Sequence, residues 1–280
     1  MKALNELKKL LKAYRSYSLD HLKKCLEFDQ KHILVALKSN DVFYPHHIIG
    51  MSISFAQMAF REIESHNLDS HAIDHLNRSL MYMDVAIELQ LNDFKRNPID
   101  KMNVHRFKKY FSAFSALLFW AILLDNKNLA KKMARQVEFC LKQKAISDFP
   151  LSYDYFSLWS YYHWINEALP FELPMKGSFQ YLTENWSKDS ISLSPSLIEI
   201  SELHCEELID NDKREYPPKF ISPPFTLLPL EIHVINKLRL LDGLDKMDVD
   251  HPLMKTQSAQ ITNFEIVEDE LLERIQINLL

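Results

Sequence analysis

Residues 110–140 read YFSAFSALLFWAILLDNKNLAKKMARQVEFC, and this stretch decides the fold. From Tyr110 to Leu124 there are 15 residues without a charge, fewer than the ~20 that cross a bilayer, so they predict a helix buried in protein. Asp125-Asn126-Lys127 then forms a short polar turn, whose Asp and Asn can cap a second helix from Asn128 to Leu141. Ala113, Leu117 and Ala121 fall at i, i+4 and i+8, and Ala130 and Ala134 offer matching small positions on the returning helix. Two such helices can approach closely, as in stacked α-hairpin repeats. No fixed period of ~34 residues recurs along the chain, so an array of such hairpins is irregular.

Outward from this hairpin the apolar spacing stays helical. Leu4, Leu7, Leu11 and Tyr14 mark a first helix; Leu19, Leu22, Leu26, Ile33 and Leu37 mark a second that Ser18 can cap. Pro45 suits the first turn of a third helix running toward His66, and Asp69 or Ser70 opens a fourth through Ile73, Leu76, Leu80, Met83 and Ile87. The third and fourth make a helical hairpin, and the fifth spans Asn103 to Leu124. Further on, a helix is expected from about Tyr153 to Leu169, another from Pro195 to about residue 211 with Ser194 as its cap, and a third from Pro229 to a left-handed cap at Gly243. Lys213 to Pro224, with its two proline pairs, must be an extended connection. These elements give an all-α fold of packed antiparallel hairpins, an irregular, repeat-like array related in style to tetratricopeptide and other solenoids. The expected organisation is one helical domain over residues 1–254, with a subdivision near 145–150 left open. Residues 255–280 form a tail, either a short helix at Val267–Leu272 or a loosely docked segment, and alternation at Ile261, Phe264 and Ile266 leaves a strand open.

Composition narrows the function. Three glycines in 280 residues, at 50, 177 and 243, leave no Gly-rich phosphate loop of either the dinucleotide-binding or the P-loop kind. Three separated cysteines with no CxxC pair fit buried thiols in a reducing compartment. The lysine-studded start has no continuous apolar block, so no secretory signal is expected and the cytoplasm is the expected location. The net charge of −5 hides an asymmetry: residues 1–150 carry 23 Lys+Arg against 16 Asp+Glu, residues 151–280 carry 10 against 22. Such a separation can steer a charged partner or simply reflect drift of surface charge.

Candidate chemistry is sparse. His71 and His75 stand at i, i+4, but the zincin order needs a Glu directly after the first His, and a third ligand would have to come from His66 or Asp84. No GxSxG exists, no cysteine carries a catalytic signature, and the carboxylate pairs Glu206-Glu207 and Asp210 with Asp212 sit on a solvated face. No catalytic residue, metal or cofactor is expected. The basic run Lys108-Lys109, Lys127, Lys131-Lys132 and Arg135 reads as solvated helix faces, and a pI near 6.2 opposes a nucleic-acid ligand; no membrane partner is expected either. Tyr153, Tyr155, Phe156, Trp159, Tyr161, Tyr162 and Trp164 point in nearly all directions of one helix. Some must line a groove or stay exposed, with Phe156 and Trp159 assigned to the core. Glu199, Glu202, Glu206 and Asp210 keep near one face at i, i+3, i+7 and i+11. Such a stripe suits a basic protein partner or serves solubility.

The run Ala116-Leu117-Leu118 with Ala121-Ile122-Leu123-Leu124-Asp125-Asn126-Lys127-Asn128-Leu129-Ala130-Lys131-Lys132-Met133-Ala134 is one half of a resemblance. The other half is Leu228-Pro229-Leu230-Glu231, Leu241-Asp242-Gly243-Leu244 and Val249-Asp250-His251-Pro252-Leu253. Together they resemble the all-helical "immunity 49" family of bacterial polymorphic-toxin systems, over residues 45 to 254. The resemblance implies a cytoplasmic antidote that binds a co-encoded toxin and blocks it without catalysis; no catalytic residue carries over. From the residues themselves, Glu202, Glu206, Asp210 and Glu215 are the expected contact face, with Tyr216 as an apolar anchor, acting by steric occlusion. The alternative is a helical-repeat adaptor that holds a peptide between hairpins. The oligomeric state is left open.

Overall fold

A computed structural model describes residues 2–39, 45–65, 69–210 and 214–279, and among them there are eleven α-helices and no strand. In chain order these are α1 (Lys2–Ser16), α2 (Leu19–Ser39), α3 (Pro45–Glu64), α4 (Ser70–Arg96), α5 (Lys101–Leu123), α6 (Lys127–Leu141), α7 (Ser152–Trp164), α8 (Gly177–Glu184), α9 (Ser190–Glu206), α10 (Leu230–Leu241) and α11 (Glu270–Leu279). The all-α class follows from the residues, because the starts carry their own caps. Asp69 accepts from the Ala72 amide at 2.9 Å, Asp100 from Asn103 at 2.9 Å, Asn126 from Leu129 at 3.0 Å and Asp189 from Ser192 at 2.9 Å.

α5 is the hub. From Phe111 to Ile122 every residue is buried, and the helix packs against α4, α6, α7 and α10. The α5–α6 hairpin closes as its turn predicts: Asp125 takes φ +53°, its amide bonds Ile122 O at 3.1 Å, and the Asn126 amide bonds Ala121 O at 3.1 Å. That pair of bonds is a Schellman end. Lys237 of α10 reinforces it by donating to Ile122 O at 2.8 Å, putting a cation where α5 has its partial negative charge. The α3–α4 hairpin is held at its crossing by two buried serines, each hydroxyl donating to the other's carbonyl at 2.7 Å. Small side chains there let the backbones meet.

Beyond α6 the chain departs from simple hairpins, and three expectations change. The helix expected to Leu169 ends at Trp164, because Asn166 adopts φ +56° and builds a second Schellman end, Asn166 N to His163 O at 3.1 Å and Glu167 N to Tyr162 O at 3.0 Å. α8 was not anticipated, being short and preceded by prolines. The helix placed at 195–211 runs instead from Ser190 to Glu206, with Asp189 as its cap and Pro195 inside it. Residues 214–224 carry no helix, as the proline pairs require, while Lys213 lies outside the described residues.

The tail is a strap. Glu64 Oε1 accepts from the Ser258 amide at 2.8 Å and its hydroxyl at 2.7 Å, and Asp269 both caps α11 and receives Arg78 and Tyr82 of α4. Ile261, Leu271, Leu272 and Ile275 are buried. Of the readings left open, the described residues therefore give a docked extended segment ending in a short helix, without a strand. One hydrophobic cluster runs from α1 to α11, and the Tyr14 hydroxyl meets Thr226 Oγ1 at 2.7 Å across it.

Candidate functional site

α9 presents two different faces. Outward, Ile191, Pro195, Ile198, Glu202 and Glu206 follow one line at i, i+4, i+7, i+11 and i+15, while Glu199 and Leu203 lie off that line and border the cavity on the other side. Ile191 is 85% exposed, and Ile198 and Leu203 are each 38% exposed. Aliphatic side chains and carboxylates thus share a partly exposed surface. Glu202 is partly held, its Oε1 lying 3.3 Å from His251 Nε2, while His251 Nδ1 accepts from the Leu253 amide at 3.2 Å.

The expected acidic stripe does not continue past Glu206, because the helix stops there. Beyond it, Arg214 holds Glu207 and the backbone of the chain that leaves the helix. This guanidinium donates to Glu206 O at 3.1 Å, Ile209 O at 3.2 Å, Tyr216 O at 3.3 Å and Glu207 Oε2 at 2.7 Å, so that it satisfies the last carbonyl of α9 and two beyond it. Asp210 and Glu215 are exposed on this corner, and Asp212 lies outside the described residues. Tyr216 is half-buried, its ring centre 5.4 Å from that of Phe149. So the five expected contact residues share one end of α9, with Glu202 one turn above the others, and Arg214 is the member that sequence reasoning missed.

The inward face lies over a cavity of about 260 Å³ between α7, α8, α9 and α10, walled by Tyr153, Phe179, Ile200, Leu203 and Phe220. At its floor His204 Nδ1 lies 2.8 Å from Glu231 Oε1, and both side chains are fully buried. The His204 ring stacks on Phe220 at 4.3 Å. Glu231 Oε2 is buried and accepts no hydrogen bond. Lys219, at the edge, is committed elsewhere: Nζ donates to Asp154 Oδ2 and to Ser112 Oγ, each at 3.0 Å, and Asp154 Oδ1 accepts from Ser115 at 2.7 Å. Breaking either buried pair by removing one partner costs about 3–5 kcal/mol, since it strands a charge in low dielectric. Burial holds the Tyr153 phenol well above its ordinary range, with Glu231 adding to the shift. Nothing in the spacing had joined His204 to Glu231; the available sign was an acid set in the apolar run Leu227 to Ile235.

The other candidates fall apart in space. His71 is exposed, and His75 Nδ1 lies 3.6 Å from Glu62 Oε2. Asp84 receives Lys132 at 3.0 Å, and His66 lies outside the described residues. Among the described residues no group of three or more His, Cys, Asp or Glu is placed to hold a metal ion. Burial pushes the Cys205 thiol up to about 12 and raises that of Cys140 as well. The seven aromatics of the 153–164 run are all buried or half-buried, with Phe156 fully enclosed and Trp159 lying 4.9 Å from Trp186. Among the described residues no helix is long and apolar enough to cross a membrane. No protein-family model, curated protein or solved structure matches the chain.

Proposed function

We propose that the chain is a stoichiometric protein binder, an immunity protein that acts in the cytoplasm by covering a cognate toxin and performs no catalytic step. The supporting observation is the outer face of α9, where Ile191 and Ile198 stay in water beside Glu202 and Glu206. An apolar centre ringed by carboxylates is the make-up of a binding patch for a protein with a basic rim. Asp210, Glu215 and Tyr216 extend that ring onto the Arg214 corner. The resemblance to the immunity 49 family supplies the antidote reading, and the acidic second half of the chain supplies long-range attraction for a cation-rich partner.

Copurification with the product of the neighbouring gene tests the pairing. Reversing Glu202, Glu206 and Asp210 to Lys is expected to weaken the complex roughly ten- to hundredfold and to remove the decline of affinity with added salt. Unchanged affinity and salt dependence would exclude this face.

The adaptor reading draws on a different place, an open groove of about 590 Å³ between α4, α6 and the tail, edged by Met81, Lys132, Asp269 and Leu272. Trp120 Nε1 is buried at this groove without an acceptor, a donor suited to a peptide carbonyl. A bound peptide that protects this groove from hydrogen exchange and leaves α9 unprotected would favour the adaptor.

A further inference from the structure

The cavity beneath α9 is not used by a partner on the outer face, and its chemistry points to a small molecule. Its volume of about 260 Å³ exceeds the ~150 Å³ that holds a benzene ring, so it has room for a bicyclic ring or for one ring with a short tail. The walls are aromatic and aliphatic. Tyr153 and Phe220 stand edge to face at 5.0 Å, Tyr153 and Phe179 at 6.3 Å, and His204 extends the set by stacking on Phe220. Such a box holds a flat apolar body, and its ring faces attract a cation.

The floor sets the polarity. His204 gives Glu231 one donor, to Oε1, and leaves Oε2 with none. A buried carboxylate oxygen without a partner carries the full cost of its desolvation, so a ligand that brings an N–H recovers more there than at an exposed acid. The basic groups nearby do not fill that need. Lys219 is spent on Asp154 and Ser112, Lys176 is exposed, and Glu199 already accepts from Ser178. Glu207 faces Arg214 and the Lys219 amide at 2.9 Å. The buried acceptor left open in the lining is therefore at depth, on Glu231, while the apolar surface lies above it.

We propose that this cavity binds a small free arylalkylamine, with its ring between Tyr153, Phe179 and Phe220 and its ammonium donating to Glu231. The same head group also occurs at the N-terminus of a peptide that begins with an aromatic residue, but the limited volume favours the free amine. This inference stands apart from toxin binding, because it concerns the opposite face of α9.

Calorimetric titration of the full chain tests it with tryptamine, with indole-3-propionate as the anion of matched shape, with 3-methylindole as the neutral ring, and with a Trp-Gly-Gly amide as the peptide end. Tryptamine is expected to bind one to one with a Kd below about 1 mM, and roughly tenfold or more tighter than the anion, the neutral ring and the peptide. Glu231→Gln is expected to erase that preference. Leu203→Trp, placed at the half-exposed rim where the fold tolerates bulk, is expected to block the cavity and lower tryptamine affinity at least about tenfold. Lack of saturable binding, equal binding of the anion or the neutral ring, binding of the peptide alone, or tryptamine binding that both variants leave unchanged would each overturn the proposal.

Discussion

His233 shows how burial sets the behaviour of a single residue. It lies on α10, two residues from Glu231, with Nε2 enclosed and without a hydrogen bond, and burial lowers its pKa from 6.5 to about 4. The sign follows from proton counting. Above pH 6.5 the imidazole is neutral in both states and the native structure carries no penalty. As the pH falls from 6.5 toward 4 the unfolded chain takes up a proton that the native one refuses, so stability declines across that window and the decline levels off below it. At ~1.4 kcal/mol per unit the loss reaches about 3 kcal/mol. Urea denaturation at pH 7 and pH 4.5 is expected to show this drop, with a shallower one in His233→Gln; equal pH dependence in both proteins would assign the acid sensitivity to other groups. Single residues of this kind were the least legible in the sequence. Asp154 lay unnoticed inside an aromatic run and Glu231 inside an aliphatic one, because a buried charge is recognised by its partner, and the partners lie on other helices.

Elements were easier to read where their ends are built from neighbours in sequence. Three helices close with the same pair of bonds, and only one of them uses glycine: Gly243 at φ +72°, with its amide on Leu240 O at 3.1 Å and the Leu244 amide on Arg239 O at 2.8 Å. The sequence marked that end correctly. The other two use Asp125 and Asn166, residues that tolerate the left-handed region through their short polar side chains, and the second went unrecognised, so α7 was drawn too long. A methyl group at position 243 would meet no atom within 4 Å. Gly243→Ala therefore isolates the backbone cost, and the denaturation midpoint should fall by an amount equivalent to ~1–2 kcal/mol with the slope unchanged. A neutral result would mean that the end of α10 adjusts its conformation. α9 was misplaced for a related reason: both Asp189 and Ser194 are competent caps, and five residues of register separate them. Local preference did not choose between them; burial of Leu193, Leu197, Ile200, His204 and Cys205 on one side did.

At the scale of the whole molecule, the N-terminal helices are tied to segments far along the chain. Tyr14 meets Thr226, Glu64 holds Ser258, and Arg78 and Tyr82 hold Asp269. These links predict cooperative unfolding. All four tryptophans lie between residues 120 and 186, so their fluorescence follows the middle of the chain, whereas circular dichroism follows every helix. The two transitions are expected to coincide, and Tyr14→Phe should move both by about 1–3 kcal/mol, since it leaves the Thr226 hydroxyl buried without its partner. Separate transitions would show that α1 to α4 and the tail form a unit of their own.

The amino-acid order alone determined the helical class, the hairpins at α3–α4 and α5–α6, the caps at Ser18, Asp69, Asn126 and Gly243, and the extended proline connection. Each of these depends on residues within about four positions of one another, where side-chain caps, small-residue spacing and proline geometry act directly. Tertiary packing alone decided the register of α9, the folding of the acidic stripe into a corner around Arg214, the strap made by the tail, and the cavity floored by His204 and Glu231. The cavity floor and the strap join groups that lie 27 to more than 190 positions apart, and which of them meet is fixed by the apolar surface the helices bury together, a quantity that no short window of sequence contains.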